Sequence, residues 1–171
     1  MGIRYYAYAF ETEMTAHALA DPRSIVSADP LADAWGLPPG SRDGVATFTP
    51  AIPERDMLYL DKASSLLQQC TAPIGEEAPR PAHRMFEGEV SSTDWGWKAW
   101  VRALTPDEMV EIAHDLTNFD DDDAAARMRS FARPERDAAA ETDYGMEYLR
   151  RARDFAVALA ADGRGMVYLI G

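Results

Sequence analysis

The sequence predicts a single α+β domain spanning residues 1–171, with a mixed or antiparallel sheet that includes the N- and C-terminal strands and about four to five helices packed with it. Three observations lead to this expectation. An aromatic-rich β run stands near the start, an aliphatic run that includes Met166, Val167, Leu169 and Ile170 stands near the end, and long stretches between them follow helical spacing. A chain of 171 residues is long enough to bury roughly two-thirds of its unfolded surface around one core.

Residues 2–10 read as a strand, because Tyr5, Tyr6, Tyr8 and Phe10 are good β formers and nothing in the run breaks it; Ile3, Tyr5, Ala7 and Ala9 share one face. Residues 13–20 predict a short helix with Thr12 as cap, Met14 and Ala18 turned inward, His17 and Leu19 as further inward candidates, and Asp21-Pro22 as its end. Nine of the eleven prolines fall between Pro22 and Pro81, so residues 21–56 and 71–81 predict long Pro-rich loops within the domain. Between them lies Leu58-Tyr59-Leu60-Asp61-Lys62, followed by an amphipathic run. A helix starting at Lys62 would take Asp61 as N-cap and bury Ala63, Leu66, Leu67 and Cys70, leaving Lys62, Ser65 and Gln69 on another face.

Residues 95–104 predict a strand with Trp97, Ala99, Val101 and Ala103 on one side and Trp100, Arg102 and Leu104 on the other. Thr105-Pro106-Asp107-Glu108 is a capping box with proline at the first helical position, and Met109, Ile112, Ala113 and Leu116 then line one helix face. The acidic run 120–123 opens a short helix over 124–131. A last helix covers 142–161, with Tyr144, Tyr148, Ala152, Phe155 and Leu159 inward, a Glu147 to Arg151 pair outward and Gly163 as terminator. Residues 165–170 are apolar enough for a strand inside a sheet.

Composition narrows the function. With 47% hydrophobic and 27% charged residues the chain is ordinary globular material, and no run approaches the roughly 20 apolar residues of a membrane span. The opening residues lack a signal-peptide pattern, and Tyr6 stands where a myristoylation signal wants Ser or Thr. A lone cysteine, Cys70, excludes an internal disulfide and fits a reducing compartment, so a cytoplasmic location is expected. A formal charge of −12 repels phosphates, which argues against nucleic acid, and would attract a basic protein partner.

Three blocks, taken in order, resemble the YfbM-like family of small bacterial proteins of unknown function. Leu58-Tyr59-Leu60-Asp61-Lys62 is similar to a Leu-Asp-Ile-Asp-Lys type segment, and Ala103-Leu104-Thr105-Pro106-Asp107-Glu108 to a strand running into a Leu-Thr or Leu-Ser-Pro-Glu-Glu type helix start. The closing helix and aliphatic strand, residues 148–171, resemble the family's end, and Met1-Gly2-Ile3 its usual opening. Where the family commonly continues its Asp-Lys with an aromatic, often Trp, and then polar and aromatic residues including His, this chain has Ala63, Ser64 and Ser65. The resemblance implies no activity.

Candidate binding residues follow from chemistry. The chain has two lysines against fifteen arginines, and Lys62 stands near a helix start, where it opposes the macrodipole by about 0.3–1 kcal/mol; a nearby carboxylate or an anionic ligand would offset this. Asp61, Lys62 and Ser65 therefore form one candidate group. Asp94, Trp95, Trp97 and Trp100 form the second, because aromatic walls beside a carboxylate suit a cation, a sugar or a protein hot spot, although core packing is the commoner fate of tryptophan. No metal site is expected: the 120–123 run lacks the ligand spacing and glycine of a calcium loop, and His17, His83 and His114 are scattered. Glu87 and Glu89 read as solvated surface and Cys70 as an inert core thiol. No nucleophile elbow, phosphate loop or dinucleotide fingerprint is present, so no catalytic residue and no cofactor is assigned. The reading favoured is a non-enzymatic protein-binding module of regulatory or immunity type. The alternative is a small-molecule-binding domain or enzyme with a pocket near Asp61 and Lys62 and residues 94–100.

Overall fold

The computed structural model describes residues 2–38, 46–131 and 137–171. Its elements run β1 (Tyr5–Phe10), α1 (Thr15–Ala20), α2 (Pro30–Trp35), β2 (Met57–Asp61), α3 (Ser64–Thr71), β3 (Ser91–Thr93), β4 (Gly96–Lys98), β5 (Trp100–Leu104), α4 (Pro106–Asn118), α5 (Asp121–Ser130), α6 (Ala138–Asp162) and β6 (Gly165–Ile170). The four-stranded sheet has the order β2-β1-β6-β5 and is antiparallel throughout, so the two terminal strands pair at its centre. The β3–β4 hairpin stands apart from it.

Both sheet faces are covered. Tyr5, Ala7, Leu58, Leu60, Met166, Tyr168 and Ile170 join a core with the apolar stripes of α3 to α6, whereas Tyr6, Tyr8, Phe10, Met57, Ala103, Val167 and Leu169 pack with Ala18, Val26 and Ala34 on the opposite side. This explains why all six residues of β6 are buried. The Tyr5 and Tyr168 rings stack at 5.3 Å, and their hydroxyls donate to the carbonyl oxygens of Met85 at 2.8 Å and Glu87 at 2.7 Å, pinning the segment after α3 over the sheet.

The capping box forms as expected, with Glu108 N donating to Thr105 Oγ1 at 3.2 Å and Thr105 N donating to Glu108 Oε2 at 2.9 Å. Asp120 caps α5. α6 begins earlier than its apolar stripe indicates, because Asp137 accepts from the amides of Ala139 and Ala140. Gly163 ends it in the left-handed conformation, and Arg151 reaches Glu147 at 2.6 Å.

Several local expectations are corrected. The stretch 21–56 contains a 3-10 turn, Pro22–Ile25, and the helix α2, which Asp29 caps through the Ala32 amide at 3.1 Å with Pro30 in its first turn; here proline starts structure instead of interrupting it. Residues 39–45 of that stretch lie outside the described residues. Thr12 does not cap α1. A 3-10 turn, Thr12–Met14, comes first, the Thr12 hydroxyl donates to the Gly163 carbonyl, and of the inward candidates only Ala18 is buried, with Met14, His17 and Leu19 all exposed. Residues 95–104 form no continuous strand: the run is split into β4 and β5 around Ala99. No helix among the described residues is long and apolar enough to cross a membrane.

Candidate functional site

Antiparallel pairing brings both candidate groups to one end of the sheet. Asp61 lies opposite Tyr5, Tyr5 opposite Ile170, and Ile170 opposite Trp100. Three inter-strand steps separate Asp61 from Trp100, about 14 Å at the usual spacing. One end of the fold thus presents both groups without placing them in one compact pocket.

Asp61 is the hub of the first group, and it is not a helix cap. The helix starts later, at Ser64 after Ala63, and no side chain caps it. A register shift between Tyr5 and Tyr6 inserts an extra β2 residue, and Asp61 takes a positive φ of 45°, a conformation that Asp tolerates better than most residues. The chain is re-aimed here, and the carboxylate turns to three donors. Oδ1 accepts from Tyr59 Oη at 2.9 Å and Arg4 Nε at 3.1 Å, while Oδ2 accepts from Tyr144 Oη at 3.0 Å. Trp35 Nε1 donates to the Tyr59 hydroxyl at 3.3 Å, and the Arg4 guanidinium lies 5.3 Å from the Trp35 ring centroid.

Burial alone would push the Asp61 carboxyl up, but the tyrosine hydrogen bonds and the Arg4 charge outweigh it and hold it below its usual value. Burial and the Asp61 carboxylate push Tyr144 upward in turn. The anion is therefore already satisfied by the protein and poorly suited to accepting a proton near neutrality. Asp61→Ala is expected to cost about 1–3 kcal/mol by stranding the donors on Arg4, Tyr59 and Tyr144. Because the folded pKa lies below the unfolded one, the ionic part of this stabilisation is complete above the unfolded pKa near ~4 and is lost as pH falls through the folded pKa. Urea titrations should therefore show a gap between wild type and Asp61→Asn at pH ~7 that narrows at pH ~3.

Lys62 and Ser65 are exposed beside this hub. The Lys62 backbone N–H donates to Tyr144 Oη at 3.3 Å, and its side chain lies over Gly2, where an added Cβ would meet Lys62 Cε at 2.7 Å. Lys62 makes no ion pair among the described residues, and Asp61, its neighbour, is committed to Arg4.

The second group sits on the β3–β4 hairpin and its exit. Asp94 and Trp95 form the turn, Thr93 Oγ1 donates to the Gly96 carbonyl at 2.9 Å, and Gly96 holds φ 126°. Every residue of the hairpin is exposed, with Trp95 at 98% and Trp97 at 74%. The core-packing expectation fails for both, because the hairpin leaves the sheet before its tryptophans could reach either core. Trp100, at 39%, differs: its indole lies on Gly88, where φ is +120° and an added Cβ would come within 2.4 Å of the ring. Only glycine lets backbone and indole approach so closely.

Two open clefts flank this end. One, of about 570 Å³, runs along β5 and is lined by Arg23, Lys98, Ala99, Trp100 and Val101. The other, of about 260 Å³, lies between α3 and the segment from Phe86 to Val90. Asp61, Lys62 and Asp94 line neither of these clefts. Sequence reasoning missed Arg4 and Tyr144, which tertiary structure brings to Asp61, and Tyr59, two residues before it on β2, and it missed the α3 cleft. Glu87 is no free surface carboxylate: it pairs with Arg102, whereas Glu89 lines that cleft. Cys70 is buried and its thiol is pushed up to about 11 by burial, consistent with an inert core residue.

No family model and no curated protein matches this sequence. Among solved structures, the crystal structure of YfbM, a protein of unknown function from Escherichia coli, matches with a TM-score of 0.55 at 14% identity, covering 98% of this chain and 99% of that one. The fold is thus YfbM-like over essentially the whole chain, and the likeness carries no activity with it.

Proposed function

We propose that the chain is a non-enzymatic protein-binding module, of regulatory or immunity type, that uses the β3–β4 hairpin to engage a basic partner. One observation carries the reading: Trp95 and Trp97 are 98% and 74% exposed on an element that buries nothing of its own. An isolated two-stranded hairpin gains little stability in water, and large exposed indoles add a solubility cost. Tryptophan is also the side chain most enriched among residues that dominate binding energy. The formal charge of −12 supports a cationic partner, since it would speed encounter with a basic surface and slow encounter with an acidic one. Cation–π contact of partner Arg or Lys with the exposed indoles, beside the Asp94 carboxylate, fits the same polarity. A cytoplasmic setting belongs to the proposal and is supported by the single buried thiol.

The test is affinity capture at low and high salt, followed by reconstitution with the purified partner. A basic protein that binds one-to-one, and more weakly at high salt, supports the reading. Recovery of no specific partner, or of an acidic one insensitive to salt, overturns it.

A further inference from the structure

The cleft beside α3 has a different chemistry from the hairpin. It is lined by Ser64, Ser65 and Gln68 from α3, by Ile3 and Ile170 from the sheet end, and by Phe86, Gly88, Glu89 and Val90 opposite. Gln68 Nε2 donates to the Gly88 carbonyl at 3.2 Å and braces the two walls. At about 260 Å³ the cleft falls below the roughly 300–1,000 Å³ of pockets for drug-sized ligands, which points to a small metabolite.

The α3 wall and the wall facing it differ in polarity. At one end α3 begins without a side-chain cap, unlike α2, α4, α5 and α6, whose first-turn amides bond to Asp29, Thr105, Asp120 and Asp137. Ser64, in the first turn of α3, is only 7% exposed, lines the cleft, and has no hydrogen-bond partner for its hydroxyl among the described residues. Among the described residues Arg164 Nε is the buried side-chain atom left without a hydrogen bond, so the Ser64 hydroxyl opens to the cleft, where it is free to bond a ligand. The Lys62 side chain runs over Gly2, next to Ile3 on the cleft wall, and adds a positive charge near this rim. Together these features favour an anionic group. Glu89, across the cleft, contributes a carboxylate. Ile3, Phe86, Val90 and Ile170 make the surface between them apolar.

We propose that this cleft binds a free apolar α-amino acid, with its carboxylate at the Ser64 and Ser65 end of α3, its ammonium at Glu89, and its side chain against Ile3, Phe86, Val90 and Ile170. A polyanion would meet Glu89 and leave the apolar wall unused. A simple amine would face Lys62 and the positive end of the helix. A zwitterion with an apolar side chain satisfies all three surfaces.

The test is titration calorimetry on the full chain with L-leucine, isocaproate, which lacks the amine, and isoamylamine, which lacks the carboxylate. L-leucine should bind, each half-molecule should bind at least about tenfold more weakly, and Ser64→Ala and Glu89→Gln should each weaken L-leucine at least about tenfold. Glu89 is exposed and Ser64 contributes no hydrogen bond, so neither substitution should lower the melting temperature appreciably. Absence of L-leucine binding up to about 10 mM, equal binding of either half-molecule, or wild-type affinity in either variant overturns the proposal.

Discussion

Replacing Trp95 and Trp97 together with alanine should leave the melting temperature unchanged and weaken partner binding by at least about 2 kcal/mol, about thirtyfold. The two halves of this expectation have separate causes. In the free protein both indoles face water, at 98% and 74% exposure, so truncation removes almost no native packing and falls in the range of surface substitutions, within about 0.5 kcal/mol. In a complex the same indoles would be the largest side chains on the contact surface, and an anchor of that kind typically dominates the binding energy. Trp100→Ala is the informative contrast. Its ring lies on Gly88, so its removal should lower stability as well, and a loss of binding there would not by itself report an interface. Paired thermal melts and calorimetry against the purified partner check both halves. A fall in melting temperature with binding intact would mean that the hairpin indoles are structural.

Leu149→Ala should have the largest effect on stability, about 2–5 kcal/mol. Leu149 is fully buried on α6, which runs 25 residues through the helical layer beside the sheet. It shares the core with Met109, Ile112 and Leu116 of α4 and with Phe155 and Leu159 of its own helix. That layer closes around it from several elements, leaving little scope to collapse into the void. A loss of this size is a large share of the roughly 5–15 kcal/mol that holds a domain folded. The denaturant midpoint should fall with an unchanged slope, whereas Val157→Ala, on the exposed side of the same helix, should stay within about 0.5 kcal/mol of wild type.

Where a feature depends on neighbours in the chain, it was legible. The Thr105 to Glu108 box, the α4 stripe of Met109, Ile112, Ala113 and Leu116, and the Gly163 stop are encoded within one or two helical turns, and each forms as read. The buried face of α3, with Leu66, Leu67 and Cys70, was also visible in its spacing. α2 carries the same kind of local signal in Asp29-Pro30 and the following Gly36, which a count of prolines along the stretch hides. A local signal likewise existed for the hairpin. Gly96 interrupts the run read as one strand, and at φ 126° it closes the turn carrying Trp95.

The Asp61 hub was not legible by any local rule. Asp before an apolar helical run is a sound cap signature, and it fails here because pairing with β1 keeps Asp61 in the strand and a bulge then turns it toward Arg4, Tyr59 and Tyr144. Tyr144 lies 83 residues away, and nothing in its own surroundings marks Asp61 as its acceptor.

By itself, the sequence determined the fold class, the terminal strands, the long helices with most of their caps, and the net charge of −12. These follow from hydrophobic period, capping chemistry and composition, which act over a few residues or over the whole chain at once. Only the tertiary structure decided that Asp61 is an internal counter-ion, that Trp95 and Trp97 stand in water while Trp100 is seated on Gly88, and that an uncapped helix start faces Glu89 across a cleft. The physical reason is register: pairing β1 with both β2 and β6, and β6 with β5, sets which distant side chains meet at one end of the sheet. A one-residue shift in any of those ladders would leave the local patterns intact and dismantle the site.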